Sequence, residues 1–321
     1  MNKGLKFFLI AFLVSLPFWW GANILEENLK DFLFWQEISR NPQILAAKAN
    51  QQILEQELKN LKPIRNWQVE NIEIEAESAI SVFSIDSNSK ILFEKNIQKK
   101  LPIASLTKLM TAYVVLENYN LSQKTEISKE AVAKEEEFGN LKVGEVFTIK
   151  GLLYPLLMES SNDAAYALAE LISEPAFVDL MNLEAEKMSL ENTHFANSTG
   201  LDPDDPTDPQ NYSSNEDLVK LTKYLFEKPL IWEILSASEF DLYLPDGVFH
   251  HTVLSTNEFL GELDQVVGGK TGYTPEAKGC FLLVLKAPKN QGLLINVILG
   301  SGNRFGEMKK LVDWLKIGYK W

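Results

Sequence analysis

The chain has one cysteine, Cys280, in 321 residues, so no intramolecular disulfide can form. Cys280 stands between Gly279 and Phe281 at the start of an apolar strand pattern and reads as a small core residue, since a cysteine nucleophile would want a partnering histidine. Histidine is nearly as scarce. His194, His250 and His251 show no ligand-like spacing, all three read as structural, and no metal or other cofactor is expected. Positive charge is in the minority: 31 Lys and Arg against 44 Asp and Glu give a formal net charge of −13, which argues against a nucleic-acid partner. No internal repeat is visible. What remains is an ordinary globular composition, 45% hydrophobic and 23% charged, long enough to bury one large core.

The first informative stretch is the N-terminus. Lys3 and Lys6 precede an apolar run from Phe7 to Ala22, and Glu26 and Glu27 follow it. Positive charge before the run and acid after it predict a cytoplasmic N-terminus and an exported body. Trp19-Trp20-Gly21-Ala22 is a poor cleavage site, so residues 1–23 are read as an uncleaved signal anchor, with a cleaved signal or a buried helix as the other readings. Residues 24–66 carry a helical apolar pattern broken at Asn41-Pro42 and are read as a helical stalk, leaving 67–321 as the main domain.

Three short motifs stand in that domain: Ser105-Leu106-Thr107-Lys108, Ser160-Ser161-Asn162 and Lys270-Thr271-Gly272. Ser105 and Lys108 are three apart, which on a helix puts both side chains on one face within hydrogen-bond reach. A serine hydroxyl needs a base to take its proton, and an ammonium cannot serve. Lys108 therefore needs a depressed pKa, which burial and a second cation both promote, and Lys270 is the candidate for that cation. Each motif alone also has an ordinary reading. Ser-x-x-Lys occurs on surface helices, Ser-x-Asn serves as an N-cap or turn, and Lys-Thr-Gly can simply end a strand.

With their flanks, Pro102 to Ala112, Leu152 to Ala165, Asn192-Thr193-His194-Phe195, Thr199-Gly200-Leu201-Asp202 and Gly268 to Thr274, the motifs resemble the serine-type D-alanyl-D-alanine carboxypeptidases, the low-molecular-mass penicillin-binding proteins, over about residues 75 to 320. The resemblance implies that Ser105 attacks the carbonyl between the last two D-alanines of a peptidoglycan stem peptide, with Lys108 as base. Ser160 would relay a proton to the leaving nitrogen, and Asn162 would hold Lys108 and a substrate amide. Lys270 and the Thr271 hydroxyl would receive the terminal carboxylate, with Arg304 as a further carboxylate ligand; the other reading of Arg304 is a solvated arginine at a helix start. The backbone N–H groups of Ser105 and Tyr273 would stabilise the oxyanion, and Gly272 would let substrate approach the strand edge.

The sequence departs from the family at two places. Asn211-Tyr212-Ser213 stands where relatives often carry His-Tyr-Ser, and Tyr273 where many have histidine, so substrate preference and turnover are expected to change. The acidic, proline-rich loop from Asp202 to Pro209 reads as a rigid surface loop in preference to a metal site. Glu159, just before the Ser-Ser-Asn triplet, reads as a helix-end surface charge, which leaves no convincing water-activating group for a β-lactamase.

The expected fold is α+β, a β-lactamase/penicillin-binding-protein-like antiparallel sheet flanked by helices and carrying an all-helical lobe. Strands are predicted at Ala79–Ile85, Ile91–Glu94, Val266–Thr271, Phe281–Leu285 and Leu293–Leu299, and helices at Asp163–Ile172, Phe177–Met188, Asn215–Phe226 and Phe305–Lys316. The expected partners are a stem peptide ending in D-Ala-D-Ala, β-lactams as inhibitors, and the membrane through the N-terminus. The sequence ends just after the last helix, so membrane attachment is expected from the N-terminal segment rather than from a tail. A D,D-endopeptidase of peptidoglycan cross-links shares the chemistry, and a non-catalytic penicillin-binding wall sensor is the reading from outside enzymology.

Overall fold

A computed structural model describes residues 63–85, 88–134, 140–290 and 292–321. The chain divides into two compact units, Met1–Leu61 and Lys62–Trp321. The predicted anchor and most of the predicted stalk lie outside the described residues. Among the described residues, no helix is long and apolar enough to cross a membrane.

The elements run β1 (Ile64–Arg65), β2 (Ser78–Ile85), β3 (Asn88–Lys95), β4 (Leu101–Pro102), a 3₁₀ turn (Ala104–Leu106), α1 (Thr107–Asn118), β5 (Lys124–Glu126), α2 (Lys129–Val132), β6 (Val146–Thr148) and α3 (Ile149–Tyr154). A π-helical turn (Pro155–Glu159) leads to α4 (Asn162–Ala169), α5 (Glu174–Lys187), β7 (Tyr212–Ser213), α6 (Asn215–Leu225), α7 (Pro229–Leu235), β8 (Glu239–Tyr243) and β9 (Phe249–Leu254). The last elements are β10 (Val266–Thr274), β11 (Lys278–Lys286), β12 (Leu293–Ser301), α8 (Arg304–Gly318) and β13 (Tyr319–Lys320). The long predicted strands and helices are all present, with ends shifted by a few residues. The β8–β9 hairpin was not predicted.

Five strands form the principal sheet in the order β10-β11-β12-β2-β3, every described pair antiparallel. Strands β11 and β12 are apolar on both faces because both faces are covered. Along β11 the side chains alternate: Cys280, Leu282 and Val284 join the core shared with α1, α3, α4, α5, α6 and α7, while Phe281, Leu283 and Leu285 join the core beneath α8. Ile295, Val297 and Leu299 of β12 face the first core, and Leu294 and Ile298 the second. Each fully buried side chain of this size contributes about 1.5–3 kcal/mol relative to an exposed one. The buried small residues Ala164, Ala165 and Ala167 let α4 pack closely inside the helical lobe. This is the α+β sheet with a helical lobe that the order of predicted strands and helices implied.

The stalk boundary needs correcting. Residues 63–66 belong to the folded unit, because Ile64 pairs with Lys320 and Arg65 with Tyr319. A two-residue strand has no periodicity to read, so its partner at the far end of the chain was invisible in sequence. Arg65 fastens this clasp: its Nη1 donates to Gly318 O at 3.0 Å, its Nη2 to Val69 O at 2.6 Å and Asn71 Oδ1 at 2.9 Å, and its guanidinium lies 4.8 Å from the Trp314 ring. Arg65→Ala is expected to lower stability by about 2–3 kcal/mol through lost hydrogen bonds and cation–π contact. Arg65→Lys should restore little of it, because an ammonium lacks the planar fork. Thermal melts of the two variants decide the matter; an Arg65→Ala melting temperature equal to wild type would mean the clasp carries no stability.

Candidate active site

Ser105 sits in the 3₁₀ turn ahead of α1, and Lys108 in the first turn of α1. Ala104 precedes the serine with φ of 46°, a left-handed conformation that costs a residue with a side chain roughly 1–2 kcal/mol. Tight packing holds the turn. A Cβ on Gly272 would come within 2.9 Å of Ser105 N, and one on Gly200 within 2.1 Å of Ala104 O. Glycine at 272 thus lets the edge strand β10 run against the nucleophile's backbone.

Lys108 is fully buried. Its Nζ lies 2.8 Å from Ser105 Oγ, 2.7 Å from Asn162 Oδ1 and 2.7 Å from the Thr199 carbonyl oxygen. Two fixed acceptors on Asn162 and Thr199 aim the remaining tetrahedral direction of the amine at the serine hydroxyl. Asn162 opens α4, whose N-cap Ser161 accepts from Ala164 N at 3.1 Å.

Ser160 lies between the π-helical turn and that cap, with φ of 68°. π turns recur at functional sites, where they re-aim a side chain. Here the turn delivers Ser160 Oγ to Lys270 Nζ at 2.8 Å, and Lys270 also donates to the Thr271 carbonyl at 2.9 Å. Burial first, then the charges of Lys108 and Arg304, push the Lys270 ammonium well below the ordinary lysine range.

Arg304, at the start of α8, is half-buried rather than solvated. Its Nη1 donates to Gly272 O at 2.9 Å, while its Nε is buried without a hydrogen-bond partner. Thr271 Oγ1 and Thr256 Oγ1 share a hydrogen bond of 2.7 Å. A cleft of about 330 Å³ is lined by Ser105, Glu159, Ser160, Thr256, Thr271, Gly272, Tyr273 and Arg304. Tyr273, 60% exposed, stands at its mouth.

All nine residues singled out by sequence therefore lie in this region, but not all at its surface. Lys108, Asn162 and Lys270 are buried behind the lining, and Lys270 holds Ser160 rather than facing the opening. The lining groups suited to a carboxylate are Thr271 and Arg304. Glu159 is not a surface charge: its side chain is 12% exposed and accepts from His251 Nε2 at 3.1 Å. Asn211 is buried too, so it belongs to the scaffold and not to a substrate-facing surface. Cys280 is buried, and desolvation pushes its thiol up to about 12. Asp202 anchors the acidic loop by accepting from Thr274 Oγ1 at 2.8 Å and Gln210 Nε2 at 2.9 Å.

Sequence reasoning missed Thr256 and the Thr199 carbonyl. The second lay inside a family-like segment, which was the available signal; the first had none.

The D-alanyl-D-alanine carboxypeptidase family, peptidase S11, matches residues 65–303. The chain belongs to this family. Among its relatives, the D-alanyl-D-alanine carboxypeptidase DacF of Bacillus subtilis is 32% identical over 250 residues, covering 75% of this chain and 62% of that protein. The chain thus spans under two thirds of that S11 relative's length. A D-alanyl-D-alanine endopeptidase of Pseudomonas aeruginosa is 28% identical over 257 residues, covering 77% and 80% of the two chains. In structure, penicillin-binding protein D2 of Listeria monocytogenes in its cefotaxime-bound form matches with a TM-score of 0.65 at 28% identity, covering 76% of this chain and 98% of that one.

One buried acid in this S11 site is not satisfied. Asp163, next to Asn162, has an Oδ1 without a hydrogen-bond partner, and burial raises its carboxyl from 3.8 to about 6. Between those values the folded state holds a proton that the unfolded chain has released. Stability therefore falls as pH rises through that window, and the deficit is complete above it. Asp163→Asn is expected to melt higher than wild type at pH 7, by the equivalent of up to about 3 kcal/mol, with the difference vanishing below about pH 4. Parallel melting curves at the two pH values would show that this carboxyl does not load the fold.

Proposed function

We propose that this chain is a serine-type D-Ala-D-Ala carboxypeptidase that trims the terminal D-alanine of peptidoglycan stem peptides through an acyl-enzyme on Ser105. The observation that carries the reading is the triple contact of Lys108 Nζ with Ser105 Oγ, Asn162 Oδ1 and the Thr199 carbonyl, a buried amine aimed at a serine. The name of the Bacillus relative agrees with it.

In this reading Lys108 takes the proton of Ser105 as the Oγ–carbon bond forms, and the backbone N–H groups of Ser105 and Tyr273 hold the oxyanion. Ser160, tethered to Lys270, passes a proton to the departing D-alanine nitrogen as the carbon–nitrogen bond breaks. Arg304 and the Thr271 hydroxyl receive the terminal carboxylate, a ligand that suits a guanidinium fork. Water then hydrolyses the ester and returns Ser105. Penicillins and cephalosporins acylate the same serine, in line with the cefotaxime-bound relative.

A D,D-endopeptidase acting on cross-links is the second reading, favoured by the name of the Pseudomonas relative. Only the leaving group differs. The domain is placed outside the cytoplasmic membrane, held there by residues 1–23, whose charge asymmetry is the support for that placement.

The test is D-alanine release from a diacyl-Lys-D-Ala-D-Ala peptide, with cross-linked muropeptides in parallel. Release from the peptide is expected, falling more than about a thousandfold in Ser105→Ala and in Lys108→Ala. Cleavage of cross-links alone would assign the endopeptidase reading. Penicillin labelling of Ser105 without cleavage of either substrate would sink the enzymatic reading in favour of a penicillin-binding wall sensor.

A further inference from the structure

A second set of polar contacts reaches the cleft from outside the three motifs. It begins at Glu145, just before β6, whose Oε2 is 3.0 Å from His250 Nε2. The Nδ1 atoms of His250 and His251 face each other at 2.5 Å, and His251 Nε2 lies 3.1 Å from Glu159 Oε2 and 3.3 Å from Oε1. The two Nδ1 atoms share one proton at most, and each Nε2 stands within hydrogen-bond distance of its glutamate. The row is well shielded, with side-chain exposures of 20% for Glu145, 7% for His250, 15% for His251 and 12% for Glu159.

The segment that follows His251 is fastened to both walls of the cleft. Leu254 N donates to Glu159 Oε1 at 3.4 Å, and Thr256 N donates to the Met158 carbonyl at 3.0 Å. Thr256 Oγ1 meets Thr271 Oγ1 on β10. Residues 251–256 therefore clamp positions 158 and 159, the last two of the π turn, while also touching the Lys-Thr-Gly strand. Ser160 comes next, in a left-handed conformation that its own sequence does not favour. Lys270 fixes the Ser160 hydroxyl from one side; the clamp fixes the backbone that carries it.

We propose that Glu159, held by His251, is a positioning residue that sets Ser160 for protonation of the leaving group, so that the β8–β9 hairpin belongs functionally to the leaving-group side of the cleft. The proposal rests on the peptidase reading above. Its chemical signature follows from what Ser160 does in that reading. An amide nitrogen must be protonated as its bond to carbon breaks, whereas a thiolate leaves without a proton. A misplaced Ser160 therefore penalises amides and spares thioesters of the same acyl group. General loss of packing penalises both.

The experiment compares kcat/KM for a diacyl-Lys-D-Ala-D-Ala peptide and for the thioester in which a thioglycolate replaces the last D-alanine. His251→Ala is expected to lower the amide value about thirtyfold or more and the thioester value less than about threefold, the pattern Ser160→Ala shows more strongly. His251→Gln, whose Nε2 reaches the same carboxylate, should recover most of the amide value. An equal fall on both substrates, no fall on either, or no recovery in His251→Gln overturns the proposal. Failure of the peptidase reading looks different: wild-type protein then turns over neither substrate, and the positioning role falls with it.

Discussion

Two lysine amines and one guanidinium gathered in a site largely closed to water set the conditions for everything around them. Stripping water from an ammonium costs several kcal/mol even after relaxation, and two neighbouring cations add repulsion to that cost. The chain meets the demand with neutral oxygens. Lys108 has a serine hydroxyl, an asparagine carbonyl and a backbone carbonyl; Lys270 has the Ser160 hydroxyl and the Thr271 carbonyl; Arg304 has the Gly272 carbonyl. None of these acceptors is a carboxylate, so each offers a dipole and not a counter-charge. For Lys270 the outcome is an amine displaced well below its ordinary range, the state a proton-moving site requires.

Those acceptors come from the 3₁₀ turn, the start of α4, the loop before residue 200 and strand β10, elements far apart in sequence. The site therefore exists only once the helical lobe has docked on the sheet. The docking surface is the continuous apolar inner face of β11, β12 and β2, and its burial offsets the unfavourable local terms at the site. Ala104 and Ser160, one beside the nucleophile and one the proposed relay, both sit at positive φ. Strain of that kind persists only where the surroundings over-determine it, and here it is the close approach of Gly200 and Gly272 on one side and the π turn on the other that do so.

What the sequence made legible was whatever chemistry is written locally. Ser105 and Lys108 are three apart where a helix begins, and that spacing puts Nζ within reach of Oγ. The long strands β2, β11 and β12 announced themselves as apolar runs, and α6 as a helical pattern. Burial depth was not legible: nothing in Lys-Thr-Gly distinguishes a lysine facing a cleft from one buried behind its wall. Backbone groups such as the Thr199 carbonyl have no letter in the sequence at all. Pairings between distant elements were equally silent, whether Ile64–Arg65 with β13 or His251 with Glu159, 92 positions away. Glu159 looked like a surface charge because its partner lies on a hairpin whose existence the pattern did not reveal.

Asn211 shows how a buried side chain outside the cleft can brace the groups around the base. Its Oδ1 accepts from Ala196 N at 2.6 Å and Asn197 N at 3.0 Å, and its Nδ2 donates to Thr107 Oγ1 at 3.0 Å and to the Asn197 carbonyl at 3.0 Å. Thr107 adjoins Lys108, and residues 196–197 open the loop that carries the Thr199 carbonyl. One amide thus ties the helix bearing the base to the loop supplying one of its two fixed acceptors. A neutral histidine offers one donor and one acceptor on a rigid ring and cannot make the same set of bonds. Asparagine at 211 therefore bears on the placement of Lys108 through both the helix and the loop.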